Sequence, residues 1–348
     1  MHSSAMPPLR SRSFSERIDA PEVVRVPGTH LGLTWRALEA QDLPAVVDLM
    51  ESSHDSPLGI LPVSPRTVQL WFDEFLSQSQ SSDLLSGWDG QNKLQAVAWV
   101  RVNVKPLSEL QAEVSAVVRP EWVGRGIGRS LLEWQDDRAR QLLAHYPSEL
   151  PVSIRALSCE NNTGRRRLLA AGGYSPISYI SHVSTPTHSL HVELSKRARA
   201  RLAEQGFSLI PYTPEVNTEL RRLHNRLILA LERYQPLSGS AWQAKLMRAD
   251  QVFSSLLIKE NQLVGYTLAE RVPETSTLRI YYYGIEQNLR HQGVGTDLIL
   301  SVLGPAYEEN IKFVGAPVVS RSGKIPASLL NYGFTLAMRE IVYSMDIS

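Results

Sequence analysis

The period of the apolar residues changes in a fixed order along this chain, and the order runs twice. Residues 31–38 alternate like a strand, and 42–50 take helical spacing, with Asp42 placed to cap the helix and Pro44 in its first turn. A second helix is predicted over 65–76. Two alternating runs, 83–88 and 94–104, flank a polar Asp89-Gly90-Gln91-Asn92 turn and read as a hairpin. Then come a strand at 112–118, a helix to about His145, a strand at 152–157, a short helix ending at Gly172-Gly173-Tyr174 and strands over 179–194. After residue 206 the order restarts: strand 206–211, helices 216–231 and 241–250, a hairpin of 252–258 and 263–271, and a strand at 277–285. A helix over 294–307, a strand at 311–319, a helix at 325–331 and a strand pair at 335–345 complete it.

Each repeat has a strand followed by glycines at a helix start. The first is Val118-Arg119-Pro120-Glu121-Trp122-Val123-Gly124-Arg125-Gly126-Ile127-Gly128-Arg129-Ser130, and the second runs from Gly284 and Ile285 to Arg290-His291-Gln292-Gly293-Val294-Gly295-Thr296. Gly293 lies 167 residues beyond Gly126 (293 less 126), and the same step carries Val118 onto Ile285. Amides at a helix start have no partner inside the helix and sit at its positive end, which suits a phosphate group. The spacing excludes two common nucleotide loops. No Lys follows Gly128, as an NTPase loop requires, and Arg129 stands where a dinucleotide loop needs its last glycine.

The pattern that remains resembles the acyl-CoA-binding motif Q/R-x-x-G-x-G/A of the GCN5-related N-acetyltransferase (GNAT) superfamily. Arg290-x-x-Gly293-x-Gly295 fits it in full, whereas the first copy has Val123 at the Q/R position. The resemblance implies an α/β (α+β) chain of two tandem GNAT domains, each a mixed, mostly antiparallel sheet flanked by helices, organised as in mycothiol synthases. It implies acetyl-CoA or another acyl-CoA as cofactor. The pantetheine arm would bond backbone groups at Val117, Val118, Gly284 and Ile285. The pyrophosphate would sit over Gly124, Arg125, Gly126, Ile127, Gly128, Arg129 and Ser130, or over Arg290 to Thr296. The family's second motif places an Asn eleven residues before a Gly-Phe/Tyr pair, which gives Asn162 here and Ser322 in the second copy.

The resemblance leaves the acid and base thin. Glu113 is the acid on the first motif strand and the candidate general base, with an exposed strand carboxylate as the other reading; a base beside an apolar strand is expected to titrate high. Counting 167 residues on gives Ile280. Leu169 and Leu329 occupy the place of the family's usual proton-donating Tyr, and Tyr332 reads as a packing residue. The implied activity is transfer of an acetyl group to a primary amine of a small molecule, with one domain degenerate. A non-catalytic acyl-CoA-binding scaffold and a protein N-acetyltransferase are the alternatives.

Totals narrow this picture modestly. A length of 348 residues suits two domains, placed at 29–194 and 206–348, with a basic helix at 195–205 whose Lys196, Arg197, Arg199 and Arg201 read as solvated. Residues 1–28, rich in Ser, Arg and Pro, read as a disordered extension without a secretory signal. A net charge of +1 argues against nucleic-acid or membrane-surface partners. The single cysteine, Cys159, reads as a core thiol, excludes an internal disulfide and fits a reducing cytoplasm. Arg165-Arg166-Arg167 reads as a solvated helix face, with binding of a CoA phosphate as its other role. A monomer or homodimer is expected.

Overall fold

A computed structural model of the chain describes residues 13–53, 65–78, 83–102, 109–229 and 236–347. The first half supplies strands β1 (Thr34–Ala37), β2 (Leu84–Trp88), β3 (Leu94–Val102), β4 (Leu110–Val118), β5 (Val152–Cys159) and β6 (Ser175–Pro186). The second supplies β7 (Ser208–Pro211), β8 (Ser255–Lys259), β9 (Gln262–Val272), β10 (Thr277–Ile285), β11 (Phe313–Ser320) and β12 (Thr335–Ile347). All twelve form one sheet in the order β1-β2-β3-β4-β5-β12-β6-β11-β10-β9-β8-β7. Only β4–β5 and β10–β11 among these pairs are parallel.

The centre of that order is an exchange. Strand β12 lies between β5 and β6, and β6 lies between β12 and β11. Each half therefore contributes six strands and takes its seventh from the other. The sequence pattern predicts local strand pairs at 179–194 and 335–345; each is instead one long strand, because its partner comes from the other half. Residues 190–194 belong to helix α6 (Leu190–Glu204), where Leu194, Ala198 and Leu202 recur at helical spacing and pack into the second half.

Helices cover both faces. On one, α4 (Ile127–Ala144) and α5 (Thr163–Ala171) pack on β3, β4 and β5; Leu131, Ala112, Val114 and Ile154 meet Ile341 and Tyr343 of β12 in a single core. The equivalents in the second half are α9 (Val294–Leu300), α10 (Leu303–Glu308) and α11 (Ala327–Asn331). The expected continuous helix over 294–307 is broken at Ser301-Val302. Pro305 has no N–H to bond the carbonyl four residues back. The Ser195 hydroxyl of α6 fills the gap, donating to Leu300 O and accepting from Gly304 N, both at 2.6 Å. On the other face lie α2 (Leu43–Ser52) and α3 (Pro65–Gln78) in the first half, and α7 (Asn217–Leu229) and α8 (Gly239–Leu246) in the second.

Four local expectations change. Residues 13–28 are not a free tail. Ser13 and Glu16 cap helix α1 (Phe14–Ile18) reciprocally, Ile18 is fully buried against the α4 core, and Arg140 and Gln141 of α4 bond the Ile18 and Pro21 carbonyls. Residues 1–12 lie outside the described residues. Asp42 does not cap α2 with its side chain; it accepts two bonds from Arg36, at 2.6 and 2.7 Å, and one from Glu39 N. Arg201 is not a free solvated charge, since it pairs with the buried Asp297; Arg199 is exposed as expected and also bonds Ser301 O. Cys159 is half-buried, against Met338.

The shared ladder should make unfolding a single event. Six of the seven tryptophans lie in the first half, so tryptophan fluorescence reports mainly that half while far-ultraviolet dichroism reports the whole sheet. The two denaturant curves should coincide; separated midpoints would mean that the halves fold independently.

Candidate acyl-donor site

The two Gly-rich loops have the same backbone. A single 3₁₀ turn, Pro120–Trp122 or Gln287–Leu289, follows each motif strand. Val123 and Arg290 then share nearly the same dihedral angles (φ −69°, ψ 147° and φ −67°, ψ 153°). Gly126 (φ 87°) and Gly293 (φ 84°) open α4 and α9 in the left-handed region, and neither helix has a side-chain cap there. One step earlier Gly124 (φ 85°) is matched by His291 (φ 64°), a residue type that pays steric strain in this conformation. A Cβ built on Gly124 or Gly293 would meet nothing within 4 Å, so both loops face open space.

The neighbouring residues separate into roles. Ile127 and Val294 are buried beneath their loops, and Gly128 and Gly295 lie close to Leu168 and Ile285. Arg125 folds back over Trp122, with its guanidinium 4.5 Å from the ring centre, and donates to Glu121 O. Arg129 is exposed, and the amides of Arg129 and Ser130 bond Gly126 O. In the second loop Gln292 donates to Asn288 O and Thr296 to Ser328 Oγ. Val117 is buried under α2 and α3, and Val118 and Ile285 face the opposite helices. Gly284 leaves room for Leu227 of α7, whose methyl lies 2.8 Å from where a Cβ would stand. Asn162 caps α5 by accepting from Arg165 N.

Beside each loop the two parallel strands part. Strands β4 and β5 pair from Leu110↔Val152 to Val114↔Ala156 and then separate; β10 and β11 pair only from Thr277↔Phe313 to Arg279↔Gly315. Residues 115–118 and 282–285 therefore form the edges of two slots through the sheet. The slots differ in content. In the first half Arg165 of α5 reaches the β4 edge, donating to Ala116 O at 2.7 Å and Ser115 Oγ at 3.1 Å. The arginine run expected as a solvated face thus has Arg165 turned inward and Arg166 bonded to Glu160 O; Arg167 is exposed. Aligning Gly173 with Gly333 puts Ile325, which has no side-chain donor, at the place of Arg165. Ile325 and Tyr283 each pack against the second core, and burial pushes the Tyr283 hydroxyl up to about 12.

The second motif strand also carries a bulge. The β9–β10 register slips between Ile280 and Tyr282, leaving Tyr281 as an extra residue; β3–β4 has no such slip. The repeat distance is consequently 167 residues beyond the bulge and 166 before it. The partner of Glu113 is therefore Arg279 rather than Ile280, which is fully buried. Cross-strand pairing bears this out: Arg101↔Glu113 corresponds to Glu270↔Arg279, the same ion pair with its charges exchanged. The Glu113 side chain is 56% exposed and bonds Arg101 at 2.9 Å. Its carboxyl lies below the usual glutamate range, not above it. Loss of solvent pushes it up, but the charge and hydrogen bond of Arg101, with Arg155 and Lys245 beyond, prevail. Leu169 and Leu329 are buried core residues.

On the sheet face bearing α8, a cleft of about 260 Å³ runs over the paired stretch of β10 and β11, from Thr277 and Phe313 to Tyr281 and Pro317 where the strands begin to part, and His182 of β6 lines it too. Only the meeting of strands from both halves assembles it; β6 of the first half brings His182, so neither repeat alone signals it.

No protein-family model matches the sequence, and no curated protein matches it. Solved structures do match its fold. A GCN5-related N-acetyltransferase from Sphaerobacter thermophilus superposes with a TM-score of 0.70 at 17% identity, over 93% of this chain and 97% of that one. A tandem GNAT protein from the clavulanic acid biosynthesis pathway gives 0.58 at 16%, over 91% and 99%. Saccharomyces cerevisiae N-myristoyltransferase with bound myristoyl-CoA gives 0.60 at 11%, over 97% and 82%. The chain carries the GNAT fold twice in tandem.

Arg101 is what holds Glu113 ionised, so Arg101→Gln should raise the Glu113 pKa, read by side-chain NMR titration. A depressed carboxylate stabilises the fold above its unfolded pKa and loses that contribution as pH falls through its folded value. The parent's stability advantage over the variant should accordingly be present at pH 7 and vanish on acidification.

Proposed function

We propose that the second half binds an acyl-CoA, acetyl-CoA in the first instance, and that the protein transfers the acyl group to a primary amine of a small molecule. The first half is then a degenerate copy. The observation that carries this reading is the asymmetry of the two slots. The β4 edge already has a guanidinium on its carbonyl, whereas the β10 edge is bulged and has Ile325, without a side-chain donor, at the place of that arginine. An added strand needs main-chain donors and acceptors to pair with, and the β10 edge suits that better.

The residues present fit such a ligand. Arg290, at the motif position that Val123 holds in the first copy, is a cation beside the Gly293 turn, which faces open space. Backbone amides of 293–296 suit a pyrophosphate, and those of 282–285 suit an amide-bearing arm. A bound acyl-CoA supplies the activated thioester; the chain's part is to hold it along β10 and admit an amine from the other sheet face. The N-myristoyltransferase of this fold, solved with myristoyl-CoA, supports an acyl-CoA in general rather than acetyl-CoA in particular. The absence of a Tyr at Leu169 and Leu329 favours a second reading, a binding protein without turnover, as does the lowered pKa of Glu113, a weak base for an ammonium.

Binding of acetyl-CoA by calorimetry and release of CoA thiol across an amine panel test the proposal together. Gly293→Trp should weaken binding at least 10-fold, because a side chain at φ 84° would be strained and would fill the space the backbone leaves. Gly126→Trp should leave binding within about twofold. The reverse ranking would move the site to the first half, and binding without thiol release for any amine would leave the binding-protein reading.

A further inference from the structure

The cleft on the α8 face lies across the slot from the Gly293 loop. Its lining includes a histidine contributed by the first half, and a glutamate of the second half, outside that lining, bonds it. His182 of β6 bonds Glu340 Oε2 of β12 through Nε2 at 2.7 Å, with side chains 15% and 12% exposed. His182 stands opposite Pro317 in the β6–β11 register, two residues past the last β10–β11 pair, Arg279↔Gly315. It is therefore level with the start of the slot and one strand spacing, roughly 5 Å, from β11, while the bulged β10 edge lies beyond β11 and farther off than a paired strand would. Charged and titratable groups on this face include Arg279 on β10, its partner Glu270 on β9, Arg248 at 3.7 Å from Glu270, and the Tyr281 hydroxyl; β11 presents Gly315 and Pro317. In the first half the same place, opposite Leu157, is held by Val342.

Resting on the reading of the second half as the acyl-transfer site, we propose that this cleft receives the acceptor amine and that His182, oriented by Glu340, is its general base. The carboxylate accepts from Nε2–H, which leaves the lone pair on Nδ1. The amine nitrogen forms the C–N bond as the thioester C–S bond breaks. The amine proton passes to Nδ1, directly or through one water, and the sulfur leaves as a thiolate that takes its proton from solvent. Among the described residues, His224 on this face cannot serve: it is 1% exposed, packed among Trp242, Tyr266 and Tyr282, and burial pushes it down to about 4. The cleft is below the roughly 300–1,000 Å³ of drug-sized pockets. Phe313, Pro317 and Val272 wall it, which suits a compact amine on an apolar body.

Benzylamine is the probe, with benzyl alcohol as the neutral control. On the full chain, carbethoxylation of His182 by diethyl pyrocarbonate, followed by peptide mass spectrometry, should slow at least fivefold with benzylamine and little with the alcohol. Gly315→Leu should abolish that protection. A Cβ there meets only Val183 O, at 3.5 Å, so the strand tolerates the side chain while the cleft is filled. With acetyl-CoA, His182→Gln should lower thiol release by about 10²–10⁴-fold and remove the acid limb of the pH profile. Its acetyl-CoA affinity should stay at the parent value. Glu340→Gln should lower the rate less and shift that limb. Equal carbethoxylation with and without benzylamine, or a parental rate and pH profile in His182→Gln, would overturn the proposal. Failure of acetyl-CoA to bind the parent would instead overturn the acyl-transfer reading, while the protection assay still decides the cleft.

Discussion

The β6–β12 ladder at the middle of the sheet is the constraint on which everything else depends. A buried strand must pair its main-chain groups on both sides. A ladder bond contributes only about 0.5–1.5 kcal/mol net, but an orphaned buried group costs about 1–3 kcal/mol. In each half the fifth and sixth strands stand apart, and the gap between them is filled by the other half's sixth strand. Neither half can close its own sheet. The consequence reaches the cleft, because β6 carries His182 to its lining and β12 carries Glu340 to bond it.

A repeat held to one backbone has diverged at its edges. The loops agree within a few degrees at Val123 and Arg290, and at Gly126 and Gly293. The strands beside them do not agree in what they offer. One residue, Tyr281, adds a bulge to β10, and one side chain, Arg165, takes the free carbonyl of β4. An arginine bonded to a backbone carbonyl is a strong charge-assisted contact. A ligand strand would have to displace it in the first half and meets no counterpart in the second.

Charge follows the same logic of position over identity. Arg101–Glu113 and Glu270–Arg279 occupy equivalent cross-strand sites with opposite polarity. An antiparallel pair is satisfied by either arrangement, so ion pairing can persist while the carboxylate changes strand. This is why Glu113 has no acidic counterpart on β10, and why its pairing argues for a structural part. A carboxylate that spends its charge on a neighbouring guanidinium is a weaker base than one left alone.

The repeat, most of its elements and the two Gly-rich loops are readable from the residues alone. Those are local properties: apolar period fixes strand or helix, and glycines fix a left-handed step that few other residues take. Even there His291 holds the Gly124 conformation without a glycine, and the Ser13–Glu16 capping box was legible in residues read as a tail. Tertiary structure alone decided the rest. A one-residue bulge is invisible to a fixed repeat distance, because it changes which face each earlier residue takes. The reach of Arg165 depends on how α5 lies against β4. The His182–Glu340 pair joins residues 158 positions apart, on strands whose alternation fits local hairpins equally well. Hydrophobic alternation says which side of a strand is buried, but not which strand will lie beside it.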